Sequence, residues 1–301
     1  MNEREDGIDL AYQNTFSWIF DAKHETTSTD RQLDAHVRLL SWLKHNDQLF
    51  WISGRAGSGK STLMKFLYHH EETKRALSHW AGGQKLILAA YFFFERGSSL
   101  QKSREGMLRS ILHQLLTVRR DLLSVTFPGL VGVPTEEIQF HMDPLAWPEL
   151  SKHLTRAIKA LGESKLCLFI DGLDEYRMVD KSDDYPANYS NLLYQNSGDA
   201  SWGLSKWIIE GHKEVVLLML QLTKESQNIK ICFSSRELLV FDNHFERFPR
   251  LRVHELTSAD ILQYCEGKLQ ELAPDLEDRH EFASRITERS EGIFLVSEYW
   301  I

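Results

Sequence analysis

The stretch GRAGSGKS, Gly54–Ser61, decides the fold of this 301-residue chain. It matches the pattern G-x-x-x-x-G-K-[ST] in full. It comes directly after the apolar run LFWIS (Leu49–Ser53) and directly before the helical pattern KSTLMKFLYHH. The strand before the loop and the helix after it argue against a chance glycine-rich turn. This order of strand, loop and helix predicts a phosphate-binding loop.

Each residue type in the loop has a physical task. The three glycines let the backbone come close to phosphate oxygens, and the amides from about Ala56 to Ser61 form an anion nest. Lys60 supplies positive charge to the β- and γ-phosphates, Ser61 is a magnesium ligand, and Thr62 contacts the α-phosphate. We expect Mg²⁺ with ATP or GTP as cofactors. The predicted nucleotide-binding residues are Gly54, Arg55, Ala56, Gly57, Ser58, Gly59, Lys60, Ser61 and Thr62.

A second motif, LCLFIDGLDE (Leu166–Glu175), places acids after another apolar run. Ligands of doubly wound sheets bind at the carboxyl ends of the strands. A carboxylate at Asp171 can therefore orient Mg²⁺ beside the triphosphate. Asp174 or Glu175 could polarise an attacking water. An acid that merely ends a strand is the alternative interpretation.

A third motif, KICFSSRE (Lys230–Glu237), brings Ser234, Ser235 and Arg236 to the same edge. A positive group at Arg236 could sense the γ-phosphate or stabilise its developing charge. The alternative is a surface arginine at the start of a loop.

Apolar runs alternate with helical patterns along the chain, which predicts an α/β fold with a doubly wound, mainly parallel sheet. A small helical subdomain is expected to follow. The expected divisions are a helical lead-in at 1–47, a core at 48–256 with an insertion at 180–210, and the helical subdomain at 257–301. The predicted strands are Leu49–Ser53, Leu86–Phe94, Leu166–Ile170, Ile229–Phe233 and Leu251–Leu256.

Composition narrows the class of protein. The net charge of -8 argues against a dedicated nucleic-acid binder. No uncharged apolar run is long enough to span a membrane, and the first residues do not form a secretory signal. Three cysteines without CxxC spacing fit a reducing compartment, so we expect a cytoplasmic protein. The histidines lack ligand-like spacing, which disfavours metals other than Mg²⁺, and the absence of an NKxD segment favours ATP over GTP.

The three motifs together resemble the NACHT class of signal-transduction NTPases, in its filamentous-fungal form within NOD-like receptors of the heterokaryon-incompatibility type. The lead-in REDGIDLAYQNTFSWIFD is also similar to the segment before that domain. The resemblance implies a nucleotide-driven switch that exchanges diphosphate for triphosphate and self-associates. It assigns nucleotide and magnesium to Lys60 and Ser61, magnesium to Asp171, and the sensor role to Arg236.

The sequence departs from this family at three places. We expect no effector domain before residue 1. Asp180–Glu210 replaces a short helix, so we expect a species-specific loop or an unspliced intron. The chain ends at Ile301, where the family continues into a winged helix, so we expect a truncated receptor or an isolated switch core. Two functions stay open: a slowly hydrolysing switch and a nucleotide-binding module that does not turn over. A metabolic P-loop kinase is a third, weaker interpretation, because nothing specifies an acceptor site.

Overall fold

Parallel strands form one five-stranded sheet in this computed structural model. The structure describes residues 3–8, 15–20, 29–94, 96–133, 146–176 and 200–301. Of residues 200–209 it describes the backbone only. The strands are β1 (Leu49–Ser53), β2 (Lys85–Phe92), β3 (Ser164–Asp171), β4 (Ile229–Ser235) and β5 (Arg250–Arg252). Their order is β2-β3-β4-β1-β5, with every pairing parallel. The carboxyl ends of the strands therefore share one edge, as the α/β prediction requires.

The fifth strand is shorter than the sequence predicts. The predicted strand Leu251–Leu256 ends at Arg252, and Val253–Glu255 forms a 3-10 turn. The Thr257 hydroxyl donates to the Val253 carbonyl at 3.1 Å. The chain leaves the sheet at this point, where its partner strand β1 also ends at Ser53.

Helices cover both faces of the sheet. Phe50 and Phe169 point to one face, where they pack with the helices over residues 30–44, 60–69 and 71–81. Trp51, Leu168 and Phe233 point to the other face, where they pack with the helices over residues 104–118, 147–159, 200–225 and 239–245. The strands are continuous apolar runs because both faces are buried. The helices are α1 (Glu3–Asp6), α2 (Asp30–Lys44), α3 (Lys60–His69), α4 (Glu71–Ala81), α5 (Arg104–Val118), α6 (Leu123–Thr126), α7 (Trp147–Lys159), α8 (Ala200–Glu225), α9 (Leu239–Phe245), α10 (Ser258–Leu272), α11 (Arg279–Ser290) and α12 (Phe294–Trp300).

Polar contacts fix both ends of α2. Its first turn is closed by a capping box, in which Thr29 and Gln32 each accept the other's backbone amide. Beyond its last turn lies Lys230 of β4, whose ammonium donates to the carbonyls of Trp42, His45 and Asp47. Burial lowers the pKa of Lys230 to about 8. The buried ammonium thus ties α2 to the middle of the sheet.

After β5 the chain is helical, as predicted. Helices α10, α11 and α12 have a core of their own, and we call residues 258–301 the C-terminal helical region. Its central side chains are Ile261, Cys265, Leu269, Ala283 and Ile286. None of the described helices is both long and apolar enough to cross a bilayer.

The predicted insertion at 180–210 is only partly within the described residues. Residues 180–199 lie outside them. Residues 200–210 form the start of α8, which leads into β4. The extent of the insertion stays a prediction. Leu204, Trp207 and Ile208 continue upstream the helical spacing that the sequence shows after Glu214.

Candidate nucleotide-binding site

The loop Gly54–Ser61 connects the end of β1 to the start of α3. Two of its glycines have left-handed backbones, Gly57 with φ 72° and Gly59 with φ 90°. A Cβ on Gly57 would lie 2.7 Å from the Cβ of Leu295 in α12. Only glycine therefore suits this position, both in conformation and in space.

Lys60 is the first residue of α3, and its side chain reaches back to the start of the loop. Its ammonium donates to the carbonyls of Gly54 (3.0 Å) and Arg55 (2.8 Å). Burial lowers the pKa of Lys60, and the nearby carboxylates of Asp174 and Asp171 oppose that shift. The Ser58 hydroxyl in the same loop is buried and has no hydrogen-bond partner within the described residues. A partly desolvated cation in this loop suits an anionic ligand.

The two predicted magnesium ligands lie together. Asp171 ends β3, and its carboxylate accepts a hydrogen bond from Ser234 on β4 at 2.5 Å. Ser61 also hydrogen-bonds to Asp171. Burial raises the pKa of Asp171, whereas these two hydroxyls favour the ionised form. A hydroxyl and a carboxylate side by side form the oxygen donor set that Mg²⁺ takes, together with waters and phosphate oxygens. The residues present therefore fit the predicted ion.

Asp174 and Arg236 form a pair on the same edge. Asp174 accepts from the backbone amide of Arg236 (2.9 Å) and from its Nε (2.5 Å). The Asp174 side chain is 5% exposed and that of Arg236 is 46% exposed. Glu175, in the same short 3-10 turn, lines the cavity beside them. The structure thus brings all three predicted catalytic residues together.

A cavity of about 690 Å³ lies above the loop. This volume is in the range of small-molecule and cofactor sites. Its wall comes from the loop, the ends of β3 and β4, the N-terminal lead-in and the C-terminal helical region. Residues that line it include Lys60, Ser61, Glu175, Arg236, Arg4 and Lys268.

A comparison of the sequence with family models shows the family to which this chain belongs. The family model described as Nephrocystin 3, N-terminal, matches residues 28–197, more than half of the chain. The chain belongs to the nephrocystin 3 N-terminal family. The matched residues include the whole loop and Asp171 to Glu175, whereas Arg236 lies beyond them. Together with the parallel sheet and the loop geometry, the match identifies a P-loop NTPase core.

Solved structures resemble this member of the nephrocystin 3 N-terminal family only weakly. The Walker-type ATPase PABY2304 of Pyrococcus abyssi has a TM-score of 0.43 and 12% identity over 90% of this chain and 66% of that chain. The ORC2 protein of Aeropyrum pernix, in ADPNP–ADP complexes, has a TM-score of 0.41 and 16% identity over 94% and 63%. The chain thus spans less than two thirds of either protein. No curated protein matches the sequence.

The N-terminal lead-in and the C-terminal helical region contribute residues to the site that the sequence analysis did not predict. Phe16 and Phe294 both lie against Gly59, within 3.3 Å of the Cβ position that glycine leaves open. Arg4 lines the cavity from α1. Neither end carries a motif of its own, and the only available signal was the resemblance of the lead-in to the segment before NACHT domains.

Proposed function

We propose that this protein binds a magnesium–nucleoside triphosphate on the loop Gly54–Ser61 and hydrolyses it slowly, as a signal-transduction switch of the NACHT type. One observation carries the proposal. The hydrogen-bonded pair of Ser61 and Asp171 lies beside the half-buried Lys60, in a cavity that is also lined by Glu175 and Arg236. ATP is favoured over GTP because the sequence lacks an NKxD segment.

The ligand-holding roles follow from the donor set. Ser61 and Asp171 would hold Mg²⁺, which neutralises charge on the phosphate oxygens when bound. Lys60 supplies a point charge for the β- and γ-phosphates, and Thr62 a hydroxyl for the α-phosphate. The loop amides from Ala56 onward serve as donors at the positive end of α3.

The water-polarising role belongs to Glu175 rather than Asp174 in this proposal. Both oxygens of Asp174 already accept hydrogen bonds from Arg236. Glu175 lines the same cavity and can take a proton from water as a general base. Arg236, which Asp174 holds, supplies positive charge for the γ-phosphate.

Contacts between the loop and the C-terminal helical region would couple the nucleotide to a conformational change. The Leu295 amide donates to the Gly57 carbonyl at 3.2 Å, and Arg55 pairs with Glu291 at 2.8 Å. A ligand that moves the loop would therefore act on α12. Self-association, a cytoplasmic location and the fungal NOD-like-receptor type belong to the proposal on the NACHT resemblance alone.

A phosphate-release assay tests the hydrolytic part. The wild type should release phosphate from Mg·ATP above background, and Glu175→Gln should lower the rate by about a hundredfold without loss of ATP binding. Glu163→Gln, an exposed change before β3, is the matched control and should keep the wild-type rate. Tight binding with no release in the wild type would contradict hydrolysis and support the non-hydrolysing module.

A further inference from the structure

The N-terminal segment, residues 3–8, is held on the helix that follows the loop. Lys65 of α3 donates to the carbonyls of Glu5 (2.7 Å) and Ile8 (2.8 Å). One turn later His69 contacts the Glu5 carboxylate at 2.6 Å. Ile8 is 6% exposed and belongs to the core on this face of the sheet. These contacts fix α1 next to the cavity.

Arg4 of α1 consequently forms part of the cavity wall, in company with Lys60, Ser61 and Glu175. Its guanidinium carbon lies 4.7 Å from the centre of the Phe94 ring, just beyond β2. Burial raises the pKa of Asp171, and the charge of Arg4 is among those that oppose the rise. The charge of Arg4 thus acts on the carboxylate that would hold magnesium, and its side chain lines the same cavity.

The hydrogen bonding of Arg4 distinguishes it from two other cations of the wall. Arg236 is paired with Asp174, and Lys268 with Glu271. The Arg4 Nε is buried and has no hydrogen-bond partner within the described residues. A buried donor without a partner is costly, and the stacking on Phe94 leaves this cost in place. Simple packing against Phe94 thus explains only part of the arrangement.

We propose that Arg4 is a phosphate-contacting residue whose guanidinium binds the terminal phosphate of the triphosphate. This inference rests on the proposed function. A guanidinium offers a planar fork of donors that matches phosphate oxygens, and partial desolvation strengthens such a bond. Because Arg4 belongs to the N-terminal segment, binding of triphosphate would also tighten the docking of that segment.

Calorimetry with a non-hydrolysable ATP analogue and with ADP tests the proposal. Arg4→Ala should weaken binding of the triphosphate by about tenfold and of ADP by less than about twofold, because ADP lacks the terminal phosphate. Arg4→Lys should lie between. Arg75→Ala, which removes an exposed arginine paired with Glu72 on α4, should change neither. Unchanged triphosphate binding in Arg4→Ala, or equal losses for both nucleotides, would overturn the proposal.

Lys60→Ala separates this proposal from the function on which it rests. If Lys60→Ala abolishes binding while Arg4→Ala leaves it unchanged, the site is correct and the Arg4 inference is wrong. If Lys60→Ala binds like the wild type, the proposed function fails first.

A second variant guards against a folding artefact. Lys65→Met should release α1 without touching the cavity wall, so it should weaken triphosphate binding as Arg4→Ala does. The double variant should then bind no more weakly than Arg4→Ala alone, since both changes remove one contact. Additive losses would contradict the route through α1.

Discussion

Asp174 accepts two hydrogen bonds from Arg236, one from the backbone amide at 2.9 Å and one from Nε at 2.5 Å. The two residues are 62 positions apart and follow different strands. The carboxylate therefore holds the arginine at the carboxyl edge of the sheet. Two motifs that the sequence presents separately act here as one unit.

Asp174→Asn should weaken binding of a non-hydrolysable ATP analogue by about tenfold, because an amide nitrogen cannot accept from Nε and Arg236 loses its position. Calorimetry on Asp174→Asn, Arg236→Ala and the double variant checks this. We expect the double variant to match Arg236→Ala alone. Additive losses would instead mean that Asp174 acts on the ligand independently.

Asp260 joins the lead-in to the C-terminal helical region, and its titration predicts a pH effect. It accepts from the Phe16 amide and the Trp18 indole, both at 2.9 Å. Burial raises the pKa of Asp260 to about 6, against the opposing effect of these two hydrogen bonds. The folded state therefore holds this proton more tightly than the unfolded state. Its stabilising effect, up to about 3 kcal/mol, is present below pH 4 and is lost as the pH rises through 6.

Asp260→Asn removes this titration and leaves one of the two donors unpaired. We expect a loss of about 1–3 kcal/mol in the free energy of unfolding, larger at pH 4.5 than at pH 7. Urea unfolding at the two pH values measures it, with the exposed Asp275→Asn as control. A difference from the wild type that does not change with pH would refute the assignment.

Gly292 lies in the turn that positions α12 against the loop Gly54–Ser61. Its φ is 79°, and a Cβ there would lie 1.9 Å from the carbonyl oxygen of His254. Gly82 has a similar φ of 59°, but a Cβ there would meet nothing within 4 Å. Alanine variants at these two positions therefore distinguish the effect of a steric clash on stability from that of backbone strain alone.

Gly292→Ala should lower the free energy of unfolding by about 3 kcal/mol, the combined effect of strain and overpacking. Gly82→Ala should cost about 1 kcal/mol from strain alone. Urea unfolding of both variants provides the comparison. Equal losses would show that the turn at Gly292 can relax and does not fix α12.

The sequence predicts the centre of the site well because the residues that form it are close together along the chain. The loop, β1 and α3 are consecutive, so pattern and spacing place Lys60 and Ser61 together. Asp171 and Arg236 follow apolar runs, and parallel strands bring such ends to one edge. The α/β class is confirmed, and in the structure these residues lie at one edge of the sheet. The roles of the individual side chains, and the domain boundaries, stay predictions.

The remaining features depend on long-range packing that no local pattern encodes. The sequence predicts a strand over Val253–Glu255, but this segment forms a 3-10 turn outside the sheet. The strand before it, β5, lies at the edge of the sheet and pairs only with β1. Arg4 and Leu295 reach the cavity from opposite ends of the chain. Such long-range contacts form because the lead-in and the C-terminal helical region are buried against the core. The hydrophobic period and the motif spacing of the sequence do not reveal these contacts.

Calorimetry of Mg·ATP binding to the wild type and Lys60→Ala tests the central claim most directly. Lys60 supplies the principal cation for the terminal phosphates, so the variant should lose at least about a hundredfold in affinity. Its thermal unfolding without nucleotide should stay close to that of the wild type, because the ammonium only bridges two loop carbonyls. Equal affinity in the two proteins, or no heat from the folded wild type with either ATP or GTP, would contradict the account.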